Sequence, residues 1–334
     1  MKIIFRFIAF AMFLASSNIS SAFAKTDLKD ALNITYQAPE IIGIEKWFNG
    51  NAQKISNLKG KVVLIDFWTY SCINCLRTLP HIKELHEKYG DKGLVIIGIH
   101  APEFEFEKNP QNVENAVKRF GIKYLVALDN SLSTWKNFDN HYWPAHYLIN
   151  QQGKVVYEHF GEGKYDVMEN NIAALLALDN MTIKKDKNNS KIFAKKFTPE
   201  TYLGLERGSN NFNKSEKNLT FPKTLPVDGW ALEGDWKLDR QFIEAKKSGA
   251  SLRLNFISKK VFLVMASASK KEVSAKISVN GKEANLGLDV KNGEVKVKES
   301  RLYELVNLPK HATATLEITA KDAGLQAYAF TFGE

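Results

Sequence analysis

The feature of this sequence that most constrains its fold is a cysteine pair placed where a strand pattern changes into a helix pattern. Cys72 and Cys75 are the only cysteines among 334 residues, and two residues separate them. The run 61–67 before them is mostly apolar and β-branched, as in a buried strand. Apolar residues recur after them at roughly helical spacing, at Leu76, Leu79, Ile82 and Leu85. The pattern predicts that the first thiol lies over the unpaired N–H groups of a helix, which stabilise a thiolate.

These positions give the two cysteines different expected roles. Cys72, the N-terminal member, is predicted to be the exposed nucleophile, and Cys75 the buried thiol that resolves a mixed disulfide. A bridge across so short a loop adds little stability but suits reversible exchange. The sequence therefore predicts a thiol–disulfide oxidoreductase that needs no cofactor and no metal. An inert disulfide and a metal site stay open as alternatives, although zinc needs about four ligands and only histidines could supply the rest.

Asp66 is the second informative residue because it interrupts a run that should be apolar on both faces. A carboxylate is costly to bury, and one held beside a thiol is suited to proton transfer. We expect Asp66 to accept a proton from Cys75 during resolution. The alternative is a carboxylate that bends outward at the strand end and caps local N–H groups.

The N-terminus has the pattern of an export signal. Residues 1–24 contain Lys2 and Arg6, an apolar run and the small-x-small site Ala22-Phe-Ala24. The apolar run is shorter than the roughly 20 residues of a membrane helix. These features predict a periplasmic protein that is soluble after signal cleavage. The formal net charge is +9, but the lysines are spread along the chain, so we expect no nucleic-acid partner.

The pattern changes twice along the remaining chain. Residues 25–180 alternate strand and helix patterns, which predicts an α/β domain. Residues 181–195 are rich in Lys, Asn and Asp and predict a linker. Residues 196–334 contain short alternating strands and the hairpin dipeptides Asn280-Gly281 and Asn292-Gly293, which predicts a β-sandwich.

Two local features of the first domain are also predicted. The cysteine-bearing helix is expected to end near Tyr89, with Gly90 in the usual C′ position. A short helix is expected over 131–138, with Ser131 as its N-cap.

Residues 38–180 resemble the thioredoxin-like proteins of the TlpA/ResA type. The matching features are Asp66-Phe-Trp68, the C-x-x-C, Pro80, Trp143-Pro144 and the extra helix–strand segment 110–128. The resemblance implies a thioredoxin-like fold that faces the periplasm or cell exterior. It also implies that Pro144 is the family's cis-proline and that Trp68, Trp143 and Pro144 line a substrate groove.

A longer resemblance, to the soluble part of the DipZ family, covers almost the whole predicted mature chain. It rests on five segments, which are 68–77, 198–204, 230–236, 301–303 and 326–333. It implies a C-terminal jelly-roll module shaped like a carbohydrate-binding domain. DipZ proteins usually carry a membrane-embedded electron-transfer domain ahead of this part, where this sequence has a signal. The resemblance therefore implies a separate electron donor, a membrane thiol transporter of the CcdA or DsbD kind.

The leading hypothesis is a periplasmic reductase that exchanges disulfides with exported partner proteins. A thiol peroxidase is the first alternative, because Thr69 and Cys72 have T-x-x-C spacing, although Ile65 stands where that motif has proline. The second alternative is a glycan-binding protein with an incidental C-x-x-C. Glycan contact would use C-terminal aromatic residues, although such residues are more often core. The candidates are Trp230, Trp236, Tyr303 and Tyr328.

Overall fold

The computed structural model describes residues 28–178, 196–213 and 219–334. The predicted signal, 1–24, and the predicted linker, 181–195, lie outside these ranges. Over the described ranges, none of the helices has the length and apolar character needed to cross a membrane.

The N-terminal domain is a seven-stranded mixed sheet with helices on its faces. Its strands are β1 (Tyr36–Gln37), β2 (Lys46–Phe48), β3 (Val62–Trp68), β4 (Leu94–His100), β5 (Leu125–Leu128), β6 (Ala145–Ile149) and β7 (Lys154–Phe160). Its helices are α1 (Ile73–Tyr89), α2 (Pro110–Arg119), α3 (Ser133–Asn137) and α4 (Tyr165–Leu175). The strand order is β1-β7-β6-β3-β4-β5-β2, with β3, β4 and β5 parallel. The predicted thioredoxin-like α/β domain is confirmed.

Strand β3 lies in the centre of this sheet, and all seven of its residues are buried. Its even-numbered apolar residues join a core that includes α1, α2 and α4. Its odd-numbered residues join a second core that includes Trp135 of α3. Burial on both faces explains why this segment reads as a nearly continuous apolar run.

The cysteine-bearing helix ends at Tyr89 and a short helix lies within 131–138, as predicted, but both predicted caps are wrong. Gly90 has a right-handed backbone, φ −55°, and the left-handed residue is Gly93, φ 109°, because a 3-10 turn over Gly90–Lys92 extends the helix. The start of α3 is capped by Asp129, not by Ser131. The Asp129 carboxylate accepts hydrogen bonds from the backbone N–H groups of Ser133 and Trp135, both at 2.8 Å.

The C-terminal domain is all β, as predicted, and its strand pairs are antiparallel. Its strands are β8 (Thr201–Tyr202), β9 (Trp230–Glu233), β10 (Trp236–Leu238), β11 (Ile243–Ala245), β12 (Ser251–Ser267), β13 (Val273–Val279), β14 (Val290–Lys291), β15 (Glu294–Val297), β16 (Arg301–Ala320) and β17 (Leu325–Gly333). The main path of the sheet is β10-β11-β17-β12-β16-β13-β15-β14.

The two layers of this domain are halves of one continuous sheet. The first half of β12 pairs with β9 and the second half of β16, and its second half pairs with β17 and the first half of β16. A register shift between Ser258 and Lys260 separates the two halves of β12. Leu254 from one half and Leu263 from the other belong to the same apolar core. The long strands therefore fold over to enclose that core.

The two domains meet through an apolar cluster, which we call the interdomain cluster. Its buried members are Phe104, Phe262, Val264, Ala266, Leu302, Tyr328 and Ala329, and its partly buried members are Ile73, Leu76, Phe106, Tyr202 and Phe242. The Tyr328 ring centroid lies 5.2 Å from that of Phe104 and 4.9 Å from that of Phe106. Around it, Arg119 pairs with Glu299 at 2.7 Å, and Arg207 pairs with Glu103 at 2.6 Å.

Replacing Tyr328 by Ala should uncouple the two domains. The change removes the ring that packs on Phe104 and Phe106, and truncating a buried aromatic costs about 3–5 kcal/mol. We expect calorimetry to show one unfolding transition in the parent protein and two separated transitions in the variant. Tyr328→Phe is the matched control, because it loses only a hydroxyl contact to Gln326 and should keep one transition. A single transition in Tyr328→Ala at the parent temperature would show that the cluster does not couple the domains.

Candidate active site

The C-x-x-C occupies the start of α1, as the sequence predicts. Cys72 is the N-cap residue, with an extended backbone, and its Sγ accepts a hydrogen bond from the Cys75 backbone N–H at 3.2 Å. Cys72 is partly exposed, Cys75 is buried, and neither forms a disulfide. An N–H group from the first turn of the helix thus points at the exposed sulfur.

Cys75 is in the opposite situation. Its side chain is 3% exposed, and burial is the main cause that raises the pKa of its thiol well above the ordinary value. The hydrogen bond and charge of Cys72 and the charge of Asp66 raise the pKa further. The buried thiol therefore keeps its proton near neutral pH and must lose it before it can attack a disulfide.

Asp66 lies inside the sheet and does not bend outward as a strand-end cap. It is 3% exposed, and it contributes charge to the surroundings of both Cys75 and Tyr124, whose pKa burial raises above the ordinary value. Its Oδ1 lies 3.3 Å from Nε2 of His146 on the adjacent strand β6. The role of Asp66 as a proton acceptor for Cys75 stays a prediction.

Glu107 is a second buried acid at this site, and the sequence reasoning missed it. It is fully buried in the turn after β4, where Oε1 accepts hydrogen bonds from Thr69 Oγ1 at 2.5 Å and Ser71 Oγ at 2.6 Å. Oε2 accepts from the backbone N–H groups of Glu103 and Phe104. Burial raises the pKa of Glu107 to about 7, against these hydrogen bonds, which lower it. Glu107 thus fixes the residues that lead into Cys72.

A sequence pattern could have located Glu107. Strands β3 and β4 are parallel and adjacent, so the segments that follow them emerge at the same edge of the sheet. The acidic run Glu103-Phe-Glu-Phe-Glu107 follows β4 at the edge where the C-x-x-C follows β3.

The three residues predicted to line a substrate groove have different surroundings. Trp68 is 1% exposed and packs edge-on against His100 beneath the helix, so it does not line a surface groove. Trp143 is partly exposed, and its Nε1 donates to the Ala101 carbonyl at 3.0 Å. The Trp143–Pro144 bond is cis, as the resemblance implied. Pro144 leads directly into β6, which pairs with β3.

The C-terminal domain covers one side of the redox helix. Ile73 and Leu76, which follow the two cysteines, pack in the interdomain cluster. Arg77 lies one turn after Ile73, and its guanidinium donates to the Phe332 carbonyl and to Glu162, both at 3.3 Å. The same guanidinium lies over the Phe262 ring. The surface beside Cys72 is therefore built by both domains.

Two alternative functions lose structural support. Thr69 Oγ1 donates its hydrogen bond to Glu107, so the hydroxyl of the T-x-x-C pattern is engaged away from Cys72. The four candidate sugar-stacking residues are all buried, namely Trp230, Trp236, Tyr303 and Tyr328. Within the described ranges, no group of three or more His, Cys, Asp or Glu residues could hold a metal ion.

Family models match both domains. The model described as Redoxin matches residues 37–176, and the one described as Thioredoxin like C-terminal domain matches residues 198–333. Protein DipZ of Mycobacterium tuberculosis (strain CDC 1551 / Oshkosh) is 36% identical over 309 residues, covering 89% of this chain and 43% of the relative. The chain thus spans less than half of that relative's length.

The redox domain also has shorter relatives. Thiol-disulfide oxidoreductase ResA of Bacillus cereus is 31% identical over 141 residues, covering 42% of this chain and 78% of the relative. A thioredoxin-like protein whose oxidised form was solved in solution is 26% identical, with a TM-score of 0.40, covering 44% of this chain and 98% of that one.

The different exposure of the two thiols should appear in their alkylation. In the reduced protein at neutral pH, iodoacetamide should label Cys72 at least about tenfold faster than Cys75, because Cys75 is buried and holds its proton. Mass spectrometry of peptides after timed quenching measures the two rates. Labelling in denaturant is the control and should remove the difference. Faster labelling of Cys75 in the folded protein would reverse the assigned roles.

Glu107 should make stability depend on pH. Its pKa in the folded protein, about 7, exceeds its ordinary value of 4.5, so its stabilising contribution is complete below pH 4.5 and is lost as pH rises through 7. The pKa difference corresponds to roughly 3 kcal/mol. Urea unfolding of the protein at pH 5 and pH 8 should show this loss in the parent protein and a smaller one in Glu107→Gln.

The matched control is Glu105→Gln, on the same turn, since the Glu105 side chain is 73% exposed. It should keep the pH dependence of the parent protein. Equal pH dependence in the parent protein and Glu107→Gln would show that Glu107 does not titrate in this range.

Proposed function

We propose that this chain, a member of the thioredoxin-like family of DipZ and the ResA-type thiol–disulfide oxidoreductases, reduces disulfides of exported proteins through Cys72 and Cys75. The observation that carries the proposal is the asymmetry of the two thiols. Cys72 is partly exposed at the helix terminus, while Cys75 is buried with a raised pKa. One thiol can therefore attack a partner, and the other stays protonated until it is needed.

The reaction proceeds in two exchanges. The Cys72 thiolate attacks one sulfur of a partner disulfide, which forms a mixed disulfide and releases the partner's first thiolate. Cys75 then loses its proton to Asp66 and attacks the Cys72 sulfur, which releases the partner's second thiolate and closes the Cys72–Cys75 disulfide. The dithiol has supplied two electrons to the partner. Both released thiolates take up protons.

The environment of Cys75 supports the reducing direction. Burial and the neighbouring Cys72 and Asp66 raise the pKa of its thiol, so the dithiol gains no stability from a Cys75 thiolate. A disulfide oxidant such as DsbA is strong because its reduced form is stabilised. The buried Cys75 thiol supplies no such stabilisation to the reduced form of this protein.

An extracytoplasmic location supplies both partners of the reaction. The predicted signal over 1–24 supports export to a periplasm, where partner proteins form disulfides. The oxidised Cys72–Cys75 pair then needs an electron donor outside the cytosol. A membrane thiol transporter of the CcdA or DsbD kind fits that requirement. This chain covers only 43% of the length of DipZ, so the electron donor is proposed and is not taken from that relative.

The C-terminal domain acts in this proposal as a scaffold beside the redox helix. Its contacts with Ile73, Leu76 and Arg77 support that role. Glycan contact through this domain remains a secondary hypothesis. It would need residues other than the four buried aromatics.

The reduction potential tests the direction of electron flow. We expect a value nearer to that of thioredoxin, about −270 mV, than to that of the oxidant DsbA, about −120 mV. Equilibrating the protein with dithiol and glutathione buffers, followed by acid quenching and mass-resolved alkylation, measures the potential. A value above about −180 mV would make the protein an oxidant and overturn the proposed reductase role.

Two controls separate the alternative functions. The reduced protein should consume hydrogen peroxide far more slowly than it reduces a protein disulfide such as that of insulin, whereas a thiol peroxidase would show the reverse order. Cys72→Ser should abolish insulin reduction. If instead Cys72→Ser retained the reductase activity, the C-x-x-C would be incidental.

A further inference from the structure

Three titratable residues lie side by side across three neighbouring strands. Asp66 of β3 is paired in register with His146 of β6, and His146 is paired with His159 of β7. Directly paired residues of neighbouring antiparallel strands point to the same face of the sheet. This face carries Leu148 and Tyr157 and packs against α1, the helix that bears the cysteines.

His146 is a costly residue at this position. Its side chain is fully buried, and neither ring nitrogen makes an aligned hydrogen bond to a described residue. Its neighbour two residues on, Leu148, is an apolar member of the same core. Buried polar groups normally have a partner, so an imidazole here calls for an explanation. The charged atom that its Nε2 approaches is Asp66 Oδ1, at 3.3 Å.

The titratable groups on the other side of Asp66 are neutral near pH 7. On the side of Asp66 that faces α1 and β5 lie Cys75 and Tyr124, and burial raises the pKa of both, so both are neutral near pH 7. Neither supplies positive charge to the carboxylate. Cys72, at the N-cap of α1, is the other thiol near Cys75.

On the far side of His146, its ring stacks on that of His159, with centroids 6.1 Å apart. Burial, followed by the charge of His146, lowers the pKa of His159 to about 4, so His159 is neutral near pH 7. Lys164, before α4, pairs with Asp30 at 2.8 Å. Over the same face, His81 of α1 stacks on Tyr165 of α4, with centroids 4.7 Å apart.

We propose that His146 is a positioning residue for the resolution step, and that its Nε2–H holds the Asp66 carboxylate in place to accept the Cys75 proton. The inference rests on the proposed function and assigns a role to a residue outside the C-x-x-C and the Asp66 position. The Nε2–H tautomer is available, because no other described residue forms a hydrogen bond that fixes the ring.

The proposed step is balanced within the site. The Cys75 S–H bond breaks and its proton passes to Asp66, while the electron pair of the new thiolate forms the bond to the Cys72 sulfur. The bond between Cys72 and the partner breaks, and the partner sulfur leaves with that electron pair. His146 keeps its own proton and acts only through Asp66.

A coloured disulfide separates the two exchanges without any partner protein. Dithiobis(nitrobenzoate) reacts with Cys72 and releases one coloured thiolate, and attack by Cys75 then releases the second. Stopped-flow absorbance from mildly acidic to mildly alkaline pH gives the two rates. The variants are His146→Leu, which removes the N–H donor, and His146→Gln, which keeps one. His159→Gln is the matched control, since it changes the neighbouring imidazole and leaves the Asp66 contact intact.

We expect the second phase of His146→Leu to slow about tenfold near neutral pH. The first phase should change less than about twofold, because the variants leave the contact between the Cys75 N–H and the Cys72 sulfur in place. His146→Gln should recover most of the second-phase rate, and His159→Gln should match the parent protein. In an Asp66→Asn background, His146→Leu should slow the second phase no further.

Three results would overturn the inference. They are a parent-like second phase in His146→Leu, equal slowing in His146→Leu and His146→Gln, and further slowing by His146→Leu in the Asp66→Asn background. An unchanged first phase shows that a variant is folded at the site. Failure of the proposed function is distinct, because the parent protein would then show both phases yet fail to reduce insulin.

Discussion

The burial of β3 on both faces is the constraint on which the rest of this protein depends. The strand runs through the centre of the sheet and ends four residues before Cys72, so it delivers the thiol to the start of α1. The same burial removes Asp66 from water. A buried carboxylate needs nearby polar groups to remain charged. Apolar packing thus holds the thiol and the acid at fixed positions relative to each other.

Much of the redox domain could be predicted because its elements have strong local patterns. The apolar run of β3, the helical spacing after Cys75 and the 145–160 hairpin each depend on neighbouring residues. The predicted caps were less reliable because several side chains compete for one helix terminus. Asp129 lies just before Ser131 and binds two N–H groups with one carboxylate, which a hydroxyl does not match.

The contacts of the site that the sequence did not predict join distant segments. Glu107 reaches Thr69 and Ser71 only because β3 and β4 are adjacent and parallel. His146 reaches Asp66 only through the register of β3 and β6. The interdomain cluster joins residues within 73–106 to residues within 202–329, which are far apart in the sequence. Local periodicity carries no information about such pairings, because register and strand order are set by the whole fold.

The shared strands of the C-terminal domain have a consequence for the redox helix. β12 and β16, with 17 and 20 residues, each serve as a strand in both layers, so neither layer is complete if the other loses its order. The domain must therefore lose its structure as one cooperative unit, not layer by layer. Phe262 and Val264, in the second half of β12, support Ile73 and Leu76 next to the cysteines. We therefore expect a defect at the opposite end of β12, around Leu252, to weaken the packing of Ile73 and Leu76 beside Cys72.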